Sequence, residues 1–262
     1  MLINSSHIPQ VGLQLYSLRN QFLDDIPRTY RMVRDWGFKF VEGGTNAGIS
    51  LEAQKKLLDN NGLKLISLAV SYEELLNDPK KVIETAKYFE SKYVVVGWIP
   101  HDANDIGFDK IKIATDFFNK SGKLLEKEGL RLAYHTHGYE FQPYKKGTFF
   151  DYMAQMAKNF TFEIDVFWVK MGDDDPLSLL QKYSDKISLL HLKDRKIGTK
   201  SNNSGQVDVD TNVVLGSGDV GIKEIVGEAI KLKIKYLFVE DESQNVLTQI
   251  PKDLEYLNTL FK

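Results

Sequence analysis

Short apolar runs alternate with longer amphipathic stretches eight times along the chain. The runs are rich in β-branched and aromatic residues, which is typical of strands, and the stretches between them have the apolar spacing of helices. Strands that alternate with helices form parallel sheets. Eight such units in about 250 residues predict a closed (β/α)8 barrel, the TIM barrel. The predicted strands are 11–17, 38–42, 63–70, 92–98, 130–137, 161–167, 187–194 and 235–241.

No linker or change of composition divides the chain, so we predict one domain over residues 1–262. A GxGxxG sequence does not follow the first strand, which disfavours an open sheet that binds a dinucleotide. One polar segment, 195–221, is longer than the other connections and follows the seventh strand. Long loops at this position often cover a binding site, and we predict that this one is a mobile cover ordered by ligand.

Polar residues close four of the predicted strands. They lie in the segments Tyr134–Glu140, Glu163–Asp165, His191–Asp194 and Val239–Glu242. The carboxyl ends of barrel strands meet at one rim, where the active sites of this fold lie. Carboxylate and imidazole groups suit Mg, Mn, Co or Zn, and the absence of cysteine excludes thiolate ligands and disulfides. The sequence therefore predicts one divalent metal ion at a shared site.

Taken singly, several of these residues allow two interpretations. His135 and His137 are two positions apart and face the same side of a strand, as ligands or as hydrogen-bonded barrel residues. Lys193 could hold a substrate oxyanion or pair with a carboxylate. Glu240 ends the last strand, but Asp241 and Glu242 follow it directly.

Three further residues lie at the ends of other predicted strands. Glu42 ends the second strand, and its carboxylate is expected to reach the rim. Gln14 on the first strand and Trp98 on the fourth are substrate-contacting or packing residues. A buried carboxylate needs a charged or hydrogen-bonding partner, so Glu42 requires more explanation than an apolar residue would.

The composition limits the partners of the protein. A formal net charge of −2 gives no basic surface for nucleic acid. No apolar run approaches the roughly 20 residues that a membrane span requires. The N-terminal sequence lacks the pattern of a signal peptide, which predicts a cytoplasmic protein and leaves a trimmed periplasmic one open. We expect a small-molecule partner, and the sequence is compatible with a homo-oligomer.

The same segments resemble the sugar phosphate isomerase/epimerase family, the xylose isomerase-like barrels. The resemblance covers nearly the whole chain and implies one divalent ion. It rests on VGLQLYSLR, YHTHGYEF, EIDVFWVKMGDDDP, LLHLKDR, GSGDVGI and FVEDES. The implied metal ligands are Glu140, Asp165, His191 and Glu240.

Two departures from the family pattern affect this ligand set. Epimerases of the group have a glutamate in the fifth strand where this chain has His135, so the first ligand is Glu140, His135 or His137. Relatives that hold several metal ions have a histidine three residues after the strand-six aspartate, and Trp168 stands there in this chain. The resemblance therefore implies a site with a single ion.

The resemblance implies a sugar isomerase or epimerase that acts through a metal-stabilised enediolate, with manganese among the candidate ions. A base takes the proton from the carbon that bears a hydroxyl group, and a cation steadies the negative charge. The candidate catalytic residues are Glu240, Glu140, His137 and Lys193. The candidate substrate-binding residues are His135, Trp168, Glu42 and Trp98.

Two other functions are compatible with the same residues. The first is a metal-dependent dehydratase or lyase that acts on a keto-sugar or inosose, which would share the enediolate. The second is a sugar-binding barrel without catalysis, in which aromatic side chains stack on the sugar. A binding barrel would not need all four implied metal ligands.

Overall fold

The computed structural model describes residues 8–102 and 106–262. Within these ranges, eight parallel strands form one closed barrel, in the order β1–β8–β7–β6–β5–β4–β3–β2. The strands are β1 (Gln10–Gln14), β2 (Phe40–Gly43), β3 (Lys64–Val70), β4 (Tyr93–Val96), β5 (Arg131–His135), β6 (Thr161–Asp165), β7 (Ile187–Leu192) and β8 (Tyr236–Val239). The predicted (β/α)8 barrel is confirmed.

Helices surround the barrel and bury one face against it. They are α1 (Arg19–Asp24), α2 (Ile26–Asp35), α3 (Leu51–Asn60), α4 (Tyr72–Asn77), α5 (Pro79–Tyr88), α6 (Phe108–Lys127), α7 (Phe149–Met156), α8 (Val166–Met171), α9 (Pro176–Lys182), α10 (Ile222–Lys231) and α11 (Val246–Leu260). None of the helices in the described ranges is long and apolar enough to cross a membrane.

The observed strands are shorter than the predicted ones, and at 161–167 the cause is local. This strand ends at Asp165, because the Asp165 carboxylate accepts the backbone N–H groups of Phe167 and Trp168 and starts α8. The chain between β1 and β2 forms two helices, α1 and α2. Asp25 begins the second of these by accepting the N–H of Arg28.

The inside of the barrel has an apolar floor and a polar upper layer. The floor contains Tyr93, Leu189 and Phe238, which are buried. Because side chains alternate along a strand, the next inward position on β7 after Leu189 is His191, and the next after Phe238 is Glu240. The alternation of side chains therefore places His191 and Glu240 in one polar layer at the carboxyl ends of the strands.

The side chains of Asp194 and Arg195 anchor the long segment 195–221. The Asp194 carboxylate accepts N–H groups from Gly216 and Gly218 at 2.9 Å and from Val220 at 3.2 Å. The Arg195 guanidinium group donates to both carboxylate oxygens of Asp219 at 2.9 Å. The segment therefore folds back on the end of β7, and its dependence on ligand stays a prediction.

Candidate metal and active site

A cavity of about 400 Å³ opens at the carboxyl ends of the strands. Its polar lining comes from six strands or the residues that follow them. These side chains are Gln14, Glu42, His135, His137, Glu163, His191 and Glu240. The cavity lies at the rim where the sequence predicted the site.

Four buried side chains offer one potential ligand atom each to a common group, and all of them except Asp165 line this cavity. They are His135, Asp165, His191 and Glu240, and these four atoms lie within 4.8 Å of one another. His191 Nδ1 is 3.1 Å from Glu240 Oε2, and His135 Nε2 is 3.5 Å from Asp165 Oδ2. His135 Nε2 and Asp165 Oδ2 are buried and have no hydrogen-bond partner among residues 8–102 and 106–262. Unpaired buried polar atoms are costly, so the group fits a bound cation.

Three of the four ligands implied by the family resemblance belong to this group, and His135 is the fourth member. Glu140 lies elsewhere. Its carboxylate accepts hydrogen bonds from the Tyr134 hydroxyl and, at 3.1 Å, from the backbone N–H of His137. Glu140 is fully buried and burial raises its pKa to about 7. The structure does not bring Glu140 to the other predicted ligands or to the cavity wall, and its role as ligand or base stays a prediction.

A second set of carboxylates faces the other nitrogen of His191. His191 Nε2 is 2.7 Å from Glu42 Oε1 and 3.2 Å from Glu163 Oε2. The Gln14 amide donates to the same Glu42 oxygen at 2.6 Å. These contacts hold the imidazole ring in one orientation.

Glu163 was not among the predicted site residues. It is fully buried, and within the described residues its carboxylate makes no hydrogen bond of good geometry, although Oε2 lies 3.2 Å from His191 Nε2. The sequence did contain a signal for Glu163: it lies two residues before Asp165, which puts both side chains on the same face of the strand. Sequence alone could not show that this face is lined by other carboxylates.

Burial and neighbouring charge set the protonation of the carboxylates. Burial raises the pKa of Glu163 well above its ordinary value, and the nearby Glu42 adds to the shift. Burial likewise raises the pKa of Asp165 to about 6. Burial would also raise the pKa of Glu240, but the Lys193 ammonium group and His191 hold it well below its ordinary value. Glu240 is therefore ionised at neutral pH.

The two histidines of the fifth strand are neutral. Burial and, to a smaller extent, the neighbouring His191 lower the pKa of His135 to about 3. Burial and His135 lower the pKa of His137 well below its ordinary value. A neutral imidazole has a free lone pair, so each ring can serve as a ligand or a base.

Lys193 pairs with carboxylates, which was one of its two predicted roles. Its buried ammonium group contacts Glu242 and lies 3.7 Å from Glu240 Oε2. The rings of Phe167 and Trp168 also face it, at 5.1 and 5.6 Å. Lys193 therefore sets the charge state of Glu240.

The predicted tryptophans support the cavity from outside. Trp98 contacts the His137 ring edge-on with centroids 5.4 Å apart, and Trp168 lies 5.8 Å from it on a tilted plane. Neither tryptophan lines the cavity described above. Their contact with substrate stays a prediction, whereas their packing against His137 is direct.

The acidic trio after β8 separates into three environments. Glu240 joins the four-residue group, and Glu242 pairs with Lys193. Asp241 turns away and accepts the backbone N–H of Ser243 at 2.7 Å. Among the three, Glu240 is the residue at the candidate metal centre.

A (β/α)8 barrel with a buried carboxylate and imidazole group at its rim defines the class of this protein. The sequence model of the family described as xylose isomerase-like TIM barrel matches residues 30–260. The chain belongs to this family, and the predicted relationship is confirmed.

Solved structures of the same architecture extend over nearly the whole chain. A sugar phosphate isomerase/epimerase from Parabacteroides distasonis ATCC 8503 is 25% identical, with a TM-score of 0.76 over 96% of this chain and 99% of that one. This likeness agrees with the predicted class of enzyme.

More distant structures share the fold alone. The probable 3-DHS dehydratase AsbF from Bacillus anthracis is 15% identical, with a TM-score of 0.72 over 95% of this chain and 98% of that one. The IOLI protein, solved with a bound zinc atom, is also 15% identical, with a TM-score of 0.71 over 96% of this chain and 98% of that one. A search of curated protein sequences found no significant match.

Proposed function

We propose that the protein is a divalent-metal-dependent isomerase or epimerase that moves a proton on a carbon next to the carbonyl group of a sugar or keto-sugar. The observation that carries the proposal is the group of four buried ligand atoms within 4.8 Å at the end of the barrel. Two of these atoms lack any hydrogen-bond partner within the described residues. The 25% identity to a sugar phosphate isomerase/epimerase supports a sugar as substrate.

The residues that would hold the ion are His135, Asp165, His191 and Glu240. When bound, a divalent ion supplies Lewis acidity to a carbonyl oxygen and a neighbouring hydroxyl group. Glu42 orients the His191 ring, because Nε2 lies 2.7 Å from Glu42 Oε1 and this leaves Nδ1 facing Glu240. The surrounding carboxylates raise the pKa of His191 well above its ordinary value, so an ion bound at Nδ1 would take the place of a proton. Carboxylates that orient ligating histidines in this way are a regular part of metal sites.

Proton transfer falls to groups that line the cavity. Glu240 is ionised because of Lys193, so it can accept the proton of the substrate carbon. The protonated Glu240 can return this proton to the neighbouring carbon, and His137, a neutral imidazole that lines the same cavity, is the candidate for a hydrogen bond to the substrate. Glu140 holds the backbone of His137 in place through the hydrogen bonds at 3.1 Å.

The cavity suits a small polar substrate. Its volume of about 400 Å³ lies at the lower end of the range for small-molecule sites, roughly 300 to 1,000 Å³. Its wall carries hydrogen-bond acceptors from Glu42, Glu163 and Glu240, which match the hydroxyl groups of a sugar. The buried Lys193 ammonium group stabilises the negative charge of Glu240, the group that accepts the proton.

Solvent deuterium exchange tests the proposal. Metal-free protein is reloaded with manganese or zinc and incubated in D2O with a panel of ketoses, aldoses and keto-sugars, and proton NMR follows the hydrogen next to the carbonyl group. We expect exchange, with formation of an isomer or epimer, for at least one sugar. The matched variant Asp165→Asn, which keeps the side-chain shape but weakens the ion site, should lose this exchange.

The outcomes separate the proposed function from its alternatives. Exchange followed by loss of water would identify the dehydratase or lyase instead of the isomerase. Ion binding and sugar binding without any exchange would identify a non-catalytic barrel. Failure of the wild-type protein to bind any divalent ion after reloading would refute the metal-dependent mechanism.

A further inference from the structure

The four ligand atoms at the barrel end are of two chemical kinds. His135 and His191 offer imidazole nitrogens, and Asp165 and Glu240 offer carboxylate oxygens. Imidazole suits zinc, iron, nickel and copper, whereas magnesium, calcium and manganese prefer oxygen donors. Magnesium also requires a nearly ideal octahedral shell and usually keeps several waters. The identity of the residue at position 135 therefore bears directly on which ion the site selects.

The spacing of the donors is compatible with one ion held by all four side chains. His191 Nδ1 and Glu240 Oε2 are 3.1 Å apart, and His135 Nε2 and Asp165 Oδ2 are 3.5 Å apart. Donors about 2.0–2.1 Å from a tetrahedral zinc ion are ~3.3 Å apart. The cavity beside His135, His191 and Glu240 leaves room for substrate oxygens to complete a larger shell.

The surroundings of His135 prepare its ring for this role. Its Nδ1 is 3.2 Å from Nδ1 of His137, so one of these two nitrogens donates a hydrogen bond to the other. With the proton of His135 on Nδ1, its Nε2 lone pair faces the Asp165 carboxylate and has no hydrogen-bond partner in the part of the chain that the structure describes. The His191 ring packs against the other side, with centroids 4.3 Å apart. The imidazole is thus held with a free donor atom aimed at the ion site.

From these observations we infer that His135 sets the metal selectivity of the site, which favours zinc or cobalt over manganese and magnesium. This inference rests on the proposed metal-dependent function and names the residue that selects the ion. Replacing the imidazole nitrogen by a carboxylate oxygen should move the preference toward manganese and magnesium. His137 offers a matched comparison, because it lies on the same segment but outside the four-atom group.

Competitive metal binding tests the inference without reference to catalysis. Metal-free wild type, His135→Glu and His137→Glu are dialysed against zinc and manganese together, and bound ions are measured by elemental analysis and native mass spectrometry. In His135→Glu the ratio of zinc affinity to manganese affinity should fall by about tenfold or more. Removing a residue that only hydrogen-bonds to a metal ligand already lowers metal affinity by about tenfold or more, and a ligand itself should matter at least as much. The ratio in His137→Glu should change less than in His135→Glu, because His137 contacts His135 Nδ1 but offers no atom to the four-atom group.

A spectroscopic readout and a second variant distinguish a change in metal preference from a loss of the fold. Cobalt bound to the wild type should give visible absorption that changes in His135→Glu, and circular dichroism checks the fold. If His135→Glu does not fold, His135→Gln, which also offers an oxygen, should show the same direction of change. An unchanged zinc-to-manganese ratio in the folded position-135 variant overturns this inference alone. Absence of any ion in the wild type overturns it together with the proposed function.

Discussion

Glu240 and Lys193 show how a single residue acquires its chemistry from its neighbours. A carboxyl group buried like Glu240 would ordinarily become protonated, because burial disfavours its charge. The Lys193 ammonium group at 3.7 Å and the His191 ring at 3.1 Å reverse this effect. Lys193 is also paired with Glu242, so it remains charged although it is buried. The charge of Glu240 therefore depends on Lys193 and His191 as well as on its own carboxyl group.

Glu240→Gln should abolish turnover and weaken ion binding while the barrel stays folded. The amide keeps the shape of the side chain but cannot accept a proton, so we expect kcat to fall by about 10²-fold or more. Steady-state kinetics and calorimetric metal titration measure the two effects. Glu242→Gln is the matched control, since it changes the neighbouring partner of Lys193 and leaves the four-residue group intact. Full activity of Glu240→Gln with metal bound would show that another acid is the base.

Asp253, which does not line the cavity, provides a pH-dependent contribution to stability. It is buried on α11 and accepts the backbone N–H of Leu215 at 2.7 Å. Burial raises its pKa to about 8, and Asp241 and Asp194 add to the shift. The folded protein therefore binds a proton that the unfolded chain releases above about pH 4, and the associated stability is lost as the pH rises toward 8.

Asp253→Asn should remove this dependence, because the amide oxygen can still accept the N–H of Leu215 without carrying charge. Between pH 4 and 8, the free energy of unfolding of the variant should fall less steeply with pH than that of the wild type. Near pH 8 the variant should be the more stable of the two. Urea unfolding across this pH range measures the difference. Glu255→Gln, an exposed change on the same helix, should leave the slope unaltered.

At the scale of elements, close packing leaves no room for a side chain at some helix positions and ample room at others. Gly122 lies on the buried face of α6, where a Cβ atom would come within 1.9 Å of the Asn159 carbonyl oxygen. Gly227 lies on α10, and a Cβ atom there would meet nothing within 4 Å. The first glycine lets α6 approach the segment that leads into β6, whereas the second has no such role.

Gly122→Ala should destabilise the protein by about 1–3 kcal/mol or more, because the helix or the facing backbone must move. Gly227→Ala should be neutral or stabilising by up to about 1 kcal/mol, since alanine is the better helix former. Urea denaturation of both variants beside the wild type gives the comparison. Equal stability of the two variants would contradict the packing argument.

The segment 195–221 depends on one carboxylate at its base. The amide of Asp194→Asn would present a donor to backbone N–H groups that now donate to the carboxylate, so the segment should loosen. Limited proteolysis should cleave it faster than in the wild type. Asp208→Asn is the control, since Asp208 makes a single local bond to the Asp210 N–H. A substrate analogue should slow cleavage in the wild type, and equal cleavage with and without it would count against a cover.

On the scale of the whole molecule, the closed barrel brings residues that are distant in the chain to one point. Glu42 and His191 are 149 positions apart and are joined at 2.7 Å. A ligand that binds only the folded barrel must therefore stabilise the whole domain.

Zinc or manganese should raise the unfolding temperature of the metal-free protein. A concentration about 100 times the dissociation constant adds ~2.7 kcal/mol, which is several degrees for a chain of this size. Differential scanning calorimetry with the metal and with a chelator measures this shift. Asp165→Asn should reduce it, and Glu242→Gln should retain it. An identical unfolding temperature with and without ions, at every concentration tried, would contradict the metal site.

The sequence by itself determined the architecture and the rim. The alternation of strand and helix patterns requires the parallel barrel, and the polar strand ends locate the site. Asp165, His191 and Glu240 follow from that pattern, because the period of two along a strand places them on the inward face. The predicted strand at 161–167 was too long, since a side-chain cap competes locally with strand extension.

Only the tertiary structure decided which residues meet. After His137 the chain turns at Gly138, whose φ of 92° is a left-handed conformation, and Glu140 returns behind the strand to bind backbone N–H. His135, one of the three alternatives for the first ligand, is the one whose ring nitrogen lies 3.5 Å from the Asp165 carboxylate. The placement of Glu163 against His191 likewise depends on the register of neighbouring strands. Contacts between different strands depend on how the barrel closes, and the local sequence pattern does not specify this.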